Sequence, residues 1–403
     1  MADSDQALAF EPVPGIRLGT ACAGIKKPAR RDLVVMELAP GSQTAAVFTR
    51  NAFCAAPVTV AREHLQQTTP RYLLINTGNA NAGTGAAGVA DARQCCAALA
   101  EQVGCRPQEV LPFSTGVIGE PLPVTRIADG LPAACAALSE AGWPDAAHGI
   151  LTTDTVPKLV SRRLELDGRP ITVTGMAKGS GMIRPDMATM LAYIATDAAV
   201  DPPLSQSLLQ EAVDHSFNRI TVDGDTSTND ACLLVATGAS GFQVTADSEA
   251  ARQLGEAVAA VCVELARAIV RDGEGATKLI NIVVNGGQDE AECLAVAYTL
   301  AHSPLVKTAF FASDPNWGRL LAAVGRAGVA NLDVEKVRLW LDDVLLAEAG
   351  GRAASYTEER GQKVMQQPEI TVTVDLQRGD VTATVWTCDF SYDYVRINAE
   401  YRT

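Results

Sequence analysis

The chain has 403 residues, of which 47% are hydrophobic and 20% charged, a mixture typical of globular proteins that argues against disordered, collagen-like and coiled-coil classes. This length fits one large or two medium domains. The 33 Lys and Arg residues against 47 Asp and Glu residues give a net charge of −14, which would repel a nucleic-acid backbone or an anionic membrane surface. We therefore expect neither nucleic acid nor a membrane as a partner.

Short runs of β-branched residues alternate along the chain with stretches of helical periodicity, which predicts a mixed α/β fold. In chain order, the predicted strands are residues 58–60, 72–75, 171–173, 280–284 and 370–374. Two helices are predicted between them, at about 89–103 and at 251–271. The second helix has the clearer pattern, with one apolar face formed by Leu254, Val258, Val261, Leu265 and Ile269.

The cysteines and the first residues of the chain indicate a reducing compartment. The histidines bear on whether the protein binds a metal. The first 15 residues have neither the basic nor the apolar region of a secretory signal, and no apolar run approaches the ~20 residues of a membrane helix. The 10 cysteines form no CxxC pair and have mostly small apolar neighbours, and the 4 histidines lie in unrelated contexts. We expect a cytoplasmic protein with buried free thiols, no metal and no cofactor.

Two segments resemble ligand-binding loops, but their contexts favour ordinary structure. Residues 83–88 match GxGxxG, yet a polar segment separates them from the preceding strand, whereas a dinucleotide site needs the first glycine at the strand end. Residues 252–257 resemble an acetyl-CoA loop but lie inside the predicted helix 251–271, where backbone N–H groups are already hydrogen-bonded. We predict a glycine-rich loop and a continuous helix.

Residues 174–196 read TGMAKGSGMIRPDMATMLAYIAT, a glycine-rich loop followed by an apolar strand or helix that begins at Thr189. The glycines indicate close backbone approach, and Pro185 restricts Arg184 to extended backbone. From these residues alone two interpretations stay open. Thr189 is either one more half-buried β-branched residue of a core strand or a nucleophile.

The nucleophile interpretation depends on a base, and the one base that a threonine carries itself is its own α-amine. That amine exists only after the Ala188–Thr189 bond is cut. Its pKa would then be about 7.7 to 8, which suits removal of the hydroxyl proton near neutral pH without a histidine. The same hydroxyl could make the cut by attacking the preceding carbonyl, provided that the turn strains this peptide and donors hold the oxyanion.

Residues 178–191, KGSGMIRPDMATML, resemble the self-cleavage motif of the ornithine acetyltransferases of arginine biosynthesis, also called glutamate N-acetyltransferases. The family often has Ala or His at Arg184 and Asn at Asp186, substitutions that leave Thr189 and Lys178 in place. Eight further segments resemble the family in order from end to end: GTACAGIKKP (19–28), VFTRNAFCAAPV (47–58), INTGNANAGTG (75–85), FSTGVIGEPLP (113–123), ILTTDTVPK (150–158), TVDGDTSTND (221–230), VRDGEGATK (270–278) and FFASDPNWGR (310–319).

The resemblance implies a layered α/β sandwich of the self-cleaving N-terminal-nucleophile type with two domains. It implies that Thr189 is the nucleophile, and that a cut after Ala188 leaves an α chain of residues 1–188 and a β chain of residues 189–403, assembled as α2β2. The oxyanion donors map onto Thr115 and Gly116. The implied substrate contacts are Thr152, Lys178, Thr189, Glu274, Asn398 and Thr403, with the neighbouring Thr153 leaving the first of them open by one residue.

The residue types suit an amino-acid substrate, because Lys178 offers a cation for a carboxylate and Glu274 an anion for an ammonium group such as that of ornithine. Each also has an ordinary interpretation. Lys178 could be a solvated loop cation, Glu274 a helix-end charge, and the pair Thr115 and Gly116 a simple turn.

The resemblance implies transfer of acetyl from N2-acetyl-L-ornithine to L-glutamate through an acetyl-threonine intermediate, and the sequence leaves open whether acetyl-CoA is also a donor. Two alternatives stay open. A self-cleaving aminopeptidase or amidase of the same fold would pass the acyl group to water, although that branch usually has serine at the cleavage position. The other alternative is a non-catalytic amino-acid-binding protein.

The acidic segment that contains Asp223, Asp225 and Asp230 lacks the spacing of a calcium loop. We predict a structural turn network near the site instead.

Overall fold

The computed structural model describes residues 9–26, 29–184 and 190–400. The chain forms two compact units. The N-terminal unit is Met1–Asn218 with Asp225–Ile269, and the C-terminal unit is Arg219–Gly224 with Val270–Thr403. A division into compact units is a different property from a cut in the backbone, so the α chain 1–188 and the β chain 189–403 stay a prediction.

Strands and helices alternate along the described residues. The strands are β1 (Ile16–Ala21), β2 (Leu33–Leu38), β3 (Gln43–Phe48), β4 (Tyr72–Asn79), β5 (Val110–Val117), β6 (Lys158–Leu166), β7 (Arg169–Lys178), β8 (Leu191–Thr196), β9 (Ala199–Val200), β10 (Ile220–Thr221), β11 (Ala231–Ala236), β12 (Gln243–Val244), β13 (Leu279–Gly287), β14 (Arg338–Leu341), β15 (Val344–Glu348), β16 (Gly351–Arg352), β17 (Glu369–Asp375) and β18 (Val381–Cys388). The helices are α1 (Ala56–Gln67), α2 (Gly85–Val103), α3 (Val124–Ala136), α4 (Trp143–Gly149), α5 (Pro202–Asp214), α6 (Glu249–Arg271), α7 (Glu290–Ala301), α8 (Pro304–Phe311), α9 (Trp317–Gly325), α10 (Glu358–Met365) and α11 (Tyr392–Ala399).

The N-terminal unit contains two main sheets, with strand orders β1-β2-β4-β5 and β3-β11-β8-β7-β6. One hydrophobic core contains buried side chains of both sheets, so the sheets face each other as a sandwich. Phe113 of β5 and Tyr193 of β8 meet there edge to face, with ring centroids 5.4 Å apart. Every residue of β8 and β11 is buried, as expected for central strands that are covered on both faces.

Helix α6 covers the outer face of the five-stranded sheet. A Cβ added to Gly175 of β7 would lie 2.9 Å from Val261 and 3.1 Å from Leu265, so the absence of a side chain lets the helix pack directly on the strand. Both partners belong to the apolar face that predicted this helix, which confirms that prediction.

The C-terminal unit is built on a seven-stranded sheet with the order β10-β18-β13-β17-β14-β15-β16. Its core packs side chains of β13, β14 and β17 against those of helices α7 and α9. The isoleucine and valine residues of β13 and β17 are buried at alternate positions, which is the period-2 pattern of a strand with one covered face.

The strands predicted at 72–75, 171–173, 280–284 and 370–374 and both helices are confirmed, and the mixed α/β class with them. The strand predicted at residues 58–60 is wrong, because these residues lie in α1. Pro57 occupies the first turn of that helix, where its missing N–H costs nothing, and Val58, Ala61 and His64 are buried at helical spacing. The tertiary contacts of this face outweigh the β-propensity of two valines.

The structure describes all 10 cysteines, and each is a free thiol. Cys22 is exposed, and six others are buried as predicted: Cys95, Cys96, Cys232, Cys262, Cys293 and Cys388. In the part of the chain that the structure describes, no helix is both long enough and apolar enough to cross a membrane.

Candidate active site

The ends of three strands meet at one edge of the five-stranded sheet. Strand β7 ends at Lys178, which pairs with Leu191 at the start of β8. Strand β11 runs parallel to β8 and begins opposite the same residue, with Ala231 beside Leu191. Strand β8 begins at Leu191, two positions after Thr189. The predicted nucleophile therefore directly precedes, in sequence, the residues at this edge.

The buried amine of Lys178 is the centre of the described site. Its side chain is only 9% exposed, and its Nζ donates to Thr152 Oγ1 at 2.8 Å and to Thr115 Oγ1 at 3.4 Å. The interpretation as a solvated loop cation is therefore wrong. Since Thr152 carries the hydroxyl that contacts Lys178, the geometry also favours Thr152 over Thr153 at the site.

Asp154 is the buried counter-ion of this site, and it is not among the residues predicted from the sequence. Its carboxylate accepts the Lys158 Nζ at 2.8 Å and the backbone N–H groups of Gly179 at 2.7 Å and Thr152 at 3.0 Å. It also lies 3.8 Å from the Lys178 Nζ. Burial alone would raise the pKa of Asp154, but the charges of Lys178 and Lys158 outweigh it and hold that pKa well below its usual range. Asp154 lies between α4 and β6, outside any helix or strand, so no periodic pattern of the sequence indicates it.

Arg30 fixes the loop that carries Thr152 and Asp154. Its guanidinium donates to the carbonyl of Leu151 at 2.6 Å and to that of Thr152 at 3.2 Å. These carbonyls lie more than a hundred residues away in sequence, so no local pattern could have indicated the contact. The loop is thus held from outside by Arg30 and from inside by Asp154.

Thr115 and Gly116 lie near the end of β5, beside Thr77 and Gly78 of β4. Gly116 has a φ of 139°, and a Cβ there would lie 2.3 Å from the carbonyl carbon of Gly78 and 2.5 Å from the nitrogen of Asn79. Only glycine fits this contact between two backbones. The interpretation of the pair as a simple turn is therefore wrong, because both residues belong to a strand.

We expect Gly116→Ala to cost at least about 3 kcal/mol of unfolding free energy, because it combines an unfavourable φ with a backbone collision. Gly119→Ala is the matched control, since Gly119 has a positive φ of 84° but no atom within 4 Å of an added Cβ. The control should cost only about 1 kcal/mol. Urea unfolding of both variants measures the difference. Equal losses of unfolding free energy would show that β4 can move away from an added Cβ without cost.

In the C-terminal unit, Glu274 and Asn398 contact each other directly. Asn398 donates from Nδ2 to Glu274 Oε2 at 2.8 Å, and Glu274 is buried. Ser391, the cap of helix α11, donates to the carbonyl of Gly275 at 2.6 Å. A Cβ on Gly275 would lie 2.5 Å from the Tyr394 nitrogen, so α11 rests on the 273–275 loop because that residue is glycine.

Gly275→Ala should therefore loosen α11, and we expect amide hydrogens of residues 391–400 to exchange at least about tenfold faster. Gly350→Ala is the control, because both glycines have a φ of 70° but an added Cβ on Gly350 would have its nearest neighbour at 3.8 Å. Hydrogen exchange read by mass spectrometry compares the two. Unchanged exchange in α11 would contradict the proposed packing.

The predicted site residues thus fall into three sets. The structure brings Thr115, Gly116, Thr152 and Lys178 together in the N-terminal unit and, separately, Glu274 and Asn398 in the C-terminal unit. Ala188, Thr189 and Thr403 lie outside the described residues. Over the described ranges, no group of three or more His, Cys, Asp or Glu side chains could hold a metal ion.

A family model described as the ArgJ family matches residues 17–403. The chain belongs to the ArgJ family. Two relatives are each called an arginine biosynthesis bifunctional protein ArgJ. One, from Methylococcus capsulatus, is 61% identical over 97% of this chain and 96% of its own length. The other, from Pseudomonas fluorescens, is 58% identical over 98% of both chains.

A solved structure of the family supports the same assignment. The crystal structure of arginine biosynthesis bifunctional protein ArgJ from Bacillus halodurans is 37% identical, with a TM-score of 0.50, and covers 52% of this chain and 99% of that chain. The family resemblance inferred from the motifs is confirmed. The two facing sheets, with strands and helices alternating along the chain, confirm the predicted layered α/β sandwich.

Proposed function

We propose that the chain cuts itself between Ala188 and Thr189 and then transfers acetyl from N2-acetyl-L-ornithine to L-glutamate in arginine biosynthesis. The observation that carries the proposal is the buried Lys178 amine, held against two threonine hydroxyls at the strand edge into which Thr189 leads. Membership in the ArgJ family supports it, since relatives are named for arginine biosynthesis.

In the self-cleavage step, the Thr189 hydroxyl oxygen bonds to the carbonyl carbon of Ala188 and the peptide C–N bond breaks. The hydroxyl proton passes to the departing nitrogen, which becomes the α-amine of Thr189. Water then hydrolyses the ester, leaving the Ala188 carboxylate and restoring the Thr189 hydroxyl. The freed amine has a pKa of about 7.7 to 8 and can serve as the base for the next reaction.

In the transfer step, Thr189 attacks the acetyl carbonyl of N-acetylornithine while its α-amine takes the hydroxyl proton. Ornithine leaves with that proton, and an acetyl-threonine enzyme remains. The amine of glutamate then attacks this ester, so that a C–N bond forms and the ester C–O bond breaks. The proton lost by the amine returns to the Thr189 oxygen through the α-amine, which restores the hydroxyl and releases N-acetylglutamate. One amide is exchanged for another, so the reaction needs no external energy source.

Thr115 and Gly116 are proposed to donate to the oxyanion in both steps. Their position in a strand that contacts β4 backbone to backbone supports this, because catalytic donors must be fixed before charge develops. Each such donor contributes roughly 10²- to 10³-fold in rate. Lys178 is proposed to bind the substrate carboxylate, with Thr152 beside it.

Glu274 is proposed to bind the ammonium group of ornithine, with Asn398 orienting its carboxylate through the 2.8 Å hydrogen bond. Thr403 is proposed as a further substrate contact. We also propose that the two chains assemble as α2β2 and that the enzyme works in the cytoplasm. Transfer from acetyl-CoA to glutamate is a second proposed activity, favoured by the word bifunctional in the relatives' names.

Intact-mass spectrometry of the purified chain under denaturing conditions tests the self-cleavage. Two species that end at Ala188 and begin at Thr189 support the proposal, whereas a single species of 403 residues favours the non-catalytic binding protein. The cut protein is then assayed with N-acetylornithine with and without glutamate, and with acetyl-CoA plus glutamate. Acetate release that does not depend on glutamate would instead favour the amidase.

A further inference from the structure

Residues 227–230 connect the two strands on which the proposed chemistry depends. Asn229 is buried and donates from Nδ2 to the carbonyl of Ser114 at 2.9 Å and to that of Ala80 at 2.6 Å. Its Oδ1 accepts the Thr228 hydroxyl at 2.6 Å, so the amide is oriented by both of its ends. Ser114 directly precedes Thr115, and Asn229 therefore fixes the strand that carries the proposed oxyanion donors.

The next residue, Asp230, contacts the start of β8. Asp230 and Met190 directly precede Ala231 and Leu191, the pair at which the parallel register of β11 and β8 begins, and Met190 directly follows Thr189. The carboxyl of Asp230 accepts hydrogen bonds from the Met190 backbone and the Ser227 side chain. The N–H of Ala231 donates to the Met190 carbonyl at 3.0 Å. Met190 is thus held through both its N–H and its carbonyl.

The surroundings of the Asp230 carboxyl favour its uncharged form. It is buried, and among the residues that the structure describes its Oδ2 has no hydrogen-bond partner, an arrangement that would be very costly for a carboxylate. Burial raises the pKa of Asp230 well above its usual value, and the opposing hydrogen bond of Ser227, charge of Lys178 and hydrogen bond of Met190 do not offset it. Lys178 also acts on Asp154, but the pKa of Asp154 is lowered rather than raised. Two lysines and two backbone N–H groups stabilise the charge of that carboxylate.

We infer that Asn229 and Asp230 are positioning residues for self-cleavage, with Asp230 acting as a neutral carboxylic acid. Asn229 holds the strand of Thr115 and Gly116, while Asp230 holds the residue that follows Thr189. Because Asn229 and Asp230 are consecutive, they link the strand of Thr115 and Gly116 to Met190. The inference rests on the proposed self-cleavage and adds the groups that align it.

The test compares Asp230→Asn with Asp230→Ala in the full-length chain, by following the fraction cut with intact-mass spectrometry after purification. The uncharged amide keeps the acceptor for Met190, so Asp230→Asn should be cut at a rate within about threefold of the wild-type rate. Asp230→Ala loses the acceptor and leaves the Met190 N–H buried, so it should be cut at least about tenfold more slowly.

Asp197→Asn is the matched control. Asp197 is also buried, follows the opposite end of β8, and accepts the Thr172 backbone N–H at 2.8 Å. Its replacement should change the melting temperature without changing the cutting rate. If Asp197→Asn slows cutting as much as Asp230→Ala does, cutting follows general sheet stability and the inference is overturned.

A second measurement decides the matter even if Asp230→Ala does not fold. A carboxyl with a raised folded-state pKa holds its proton in the folded chain while the unfolded chain loses it, so it contributes less stability as pH rises above about 4. The unfolding free energy of Asp230→Asn relative to wild type should therefore increase from about pH 4 to about pH 7. A difference that stays constant with pH would overturn the neutral-acid assignment.

The outcomes also separate this inference from the proposed function. An uncut wild-type chain overturns both. A cut wild-type chain with Asp230→Ala cut equally fast overturns the positioning role alone, as does Asp230→Asn that is no better than Asp230→Ala.

Discussion

A chain with Thr189→Ala is expected to purify as one species of 403 residues and to transfer no acetyl group. The alanine has no hydroxyl to attack the Ala188 carbonyl, so no free α-amine forms. It also lacks the nucleophile for the acetyl group, so both steps fail at the same residue. Intact mass and an N-acetylornithine-to-glutamate assay measure the two losses independently.

Thr189→Ser serves as the control, because serine keeps both the hydroxyl and, after the cut, the adjacent amine. This variant should still be cut and should keep measurable transfer. A Thr189→Ala chain that is nevertheless cut at the same bond would contradict the proposed mechanism. It would show that another group breaks the peptide.

Asp154→Ala is expected to cause the second largest loss, affecting stability and transfer together. It removes the carboxylate from Lys158 and Lys178, whose side chains are 1% and 9% exposed, and leaves two buried ammonium groups without that anion. Breaking a buried pair in this way costs about 3–5 kcal/mol. Transfer should fall at least about a hundredfold, because Lys178 and the Thr152 loop lose their common anchor.

Denaturant unfolding and kcat/KM measure these two effects. Asp145→Asn is the control, since its ion pair with Arg31 is at the surface and the Asp145 side chain is 57% exposed. It should change the unfolding free energy by less than about 1 kcal/mol. An Asp154→Ala chain that is no less stable than this control would refute the anchoring role.

The pH dependence of Asp154 has a defined sign. Its folded-state pKa is lowered, so the carboxylate contributes its full stabilisation above the unfolded value of about 3.9 and loses it only as pH falls below that value. The unfolding free energy that Asp154→Ala loses relative to the wild type should therefore be constant from about pH 5 to about pH 8. It should shrink only in strong acid.

Features with local causes were predictable from the sequence. Helix α6 followed from an apolar face repeated over about four turns, and the strands β13 and β17 followed from their branched residues. Residues 58–60 show the limit of that reasoning, because two valines favour a strand while the buried face of α1 imposes a helix. Motif resemblance located Lys178 and Thr115 but said nothing about their burial.

The residues that organise the site were not predictable, because their partners are far away along the chain. Arg30 contacts Leu151, and Asn229 contacts Ser114, at separations of 121 and 115 residues. The sequence predicts a structural turn network around Asp230 but does not indicate the parallel pairing of β8 and β11, on which the surroundings of Asp230 depend. Such contacts exist only once the sheets have assembled.

The strand order β3-β11-β8-β7-β6 determines how the protein can refold after the proposed cut. The position between residues 188 and 189 separates β3, β6 and β7 from β8 and β11, so the two strands of the second fragment lie between strands of the first within one sheet. We expect this sheet to assemble before the proposed cut, while both halves still belong to one chain. Afterwards refolding requires an encounter between two molecules, and its rate depends on concentration. The mature protein would then depend on slow unfolding for its lifetime, and heating should inactivate it irreversibly where the uncut Thr189→Ala chain recovers.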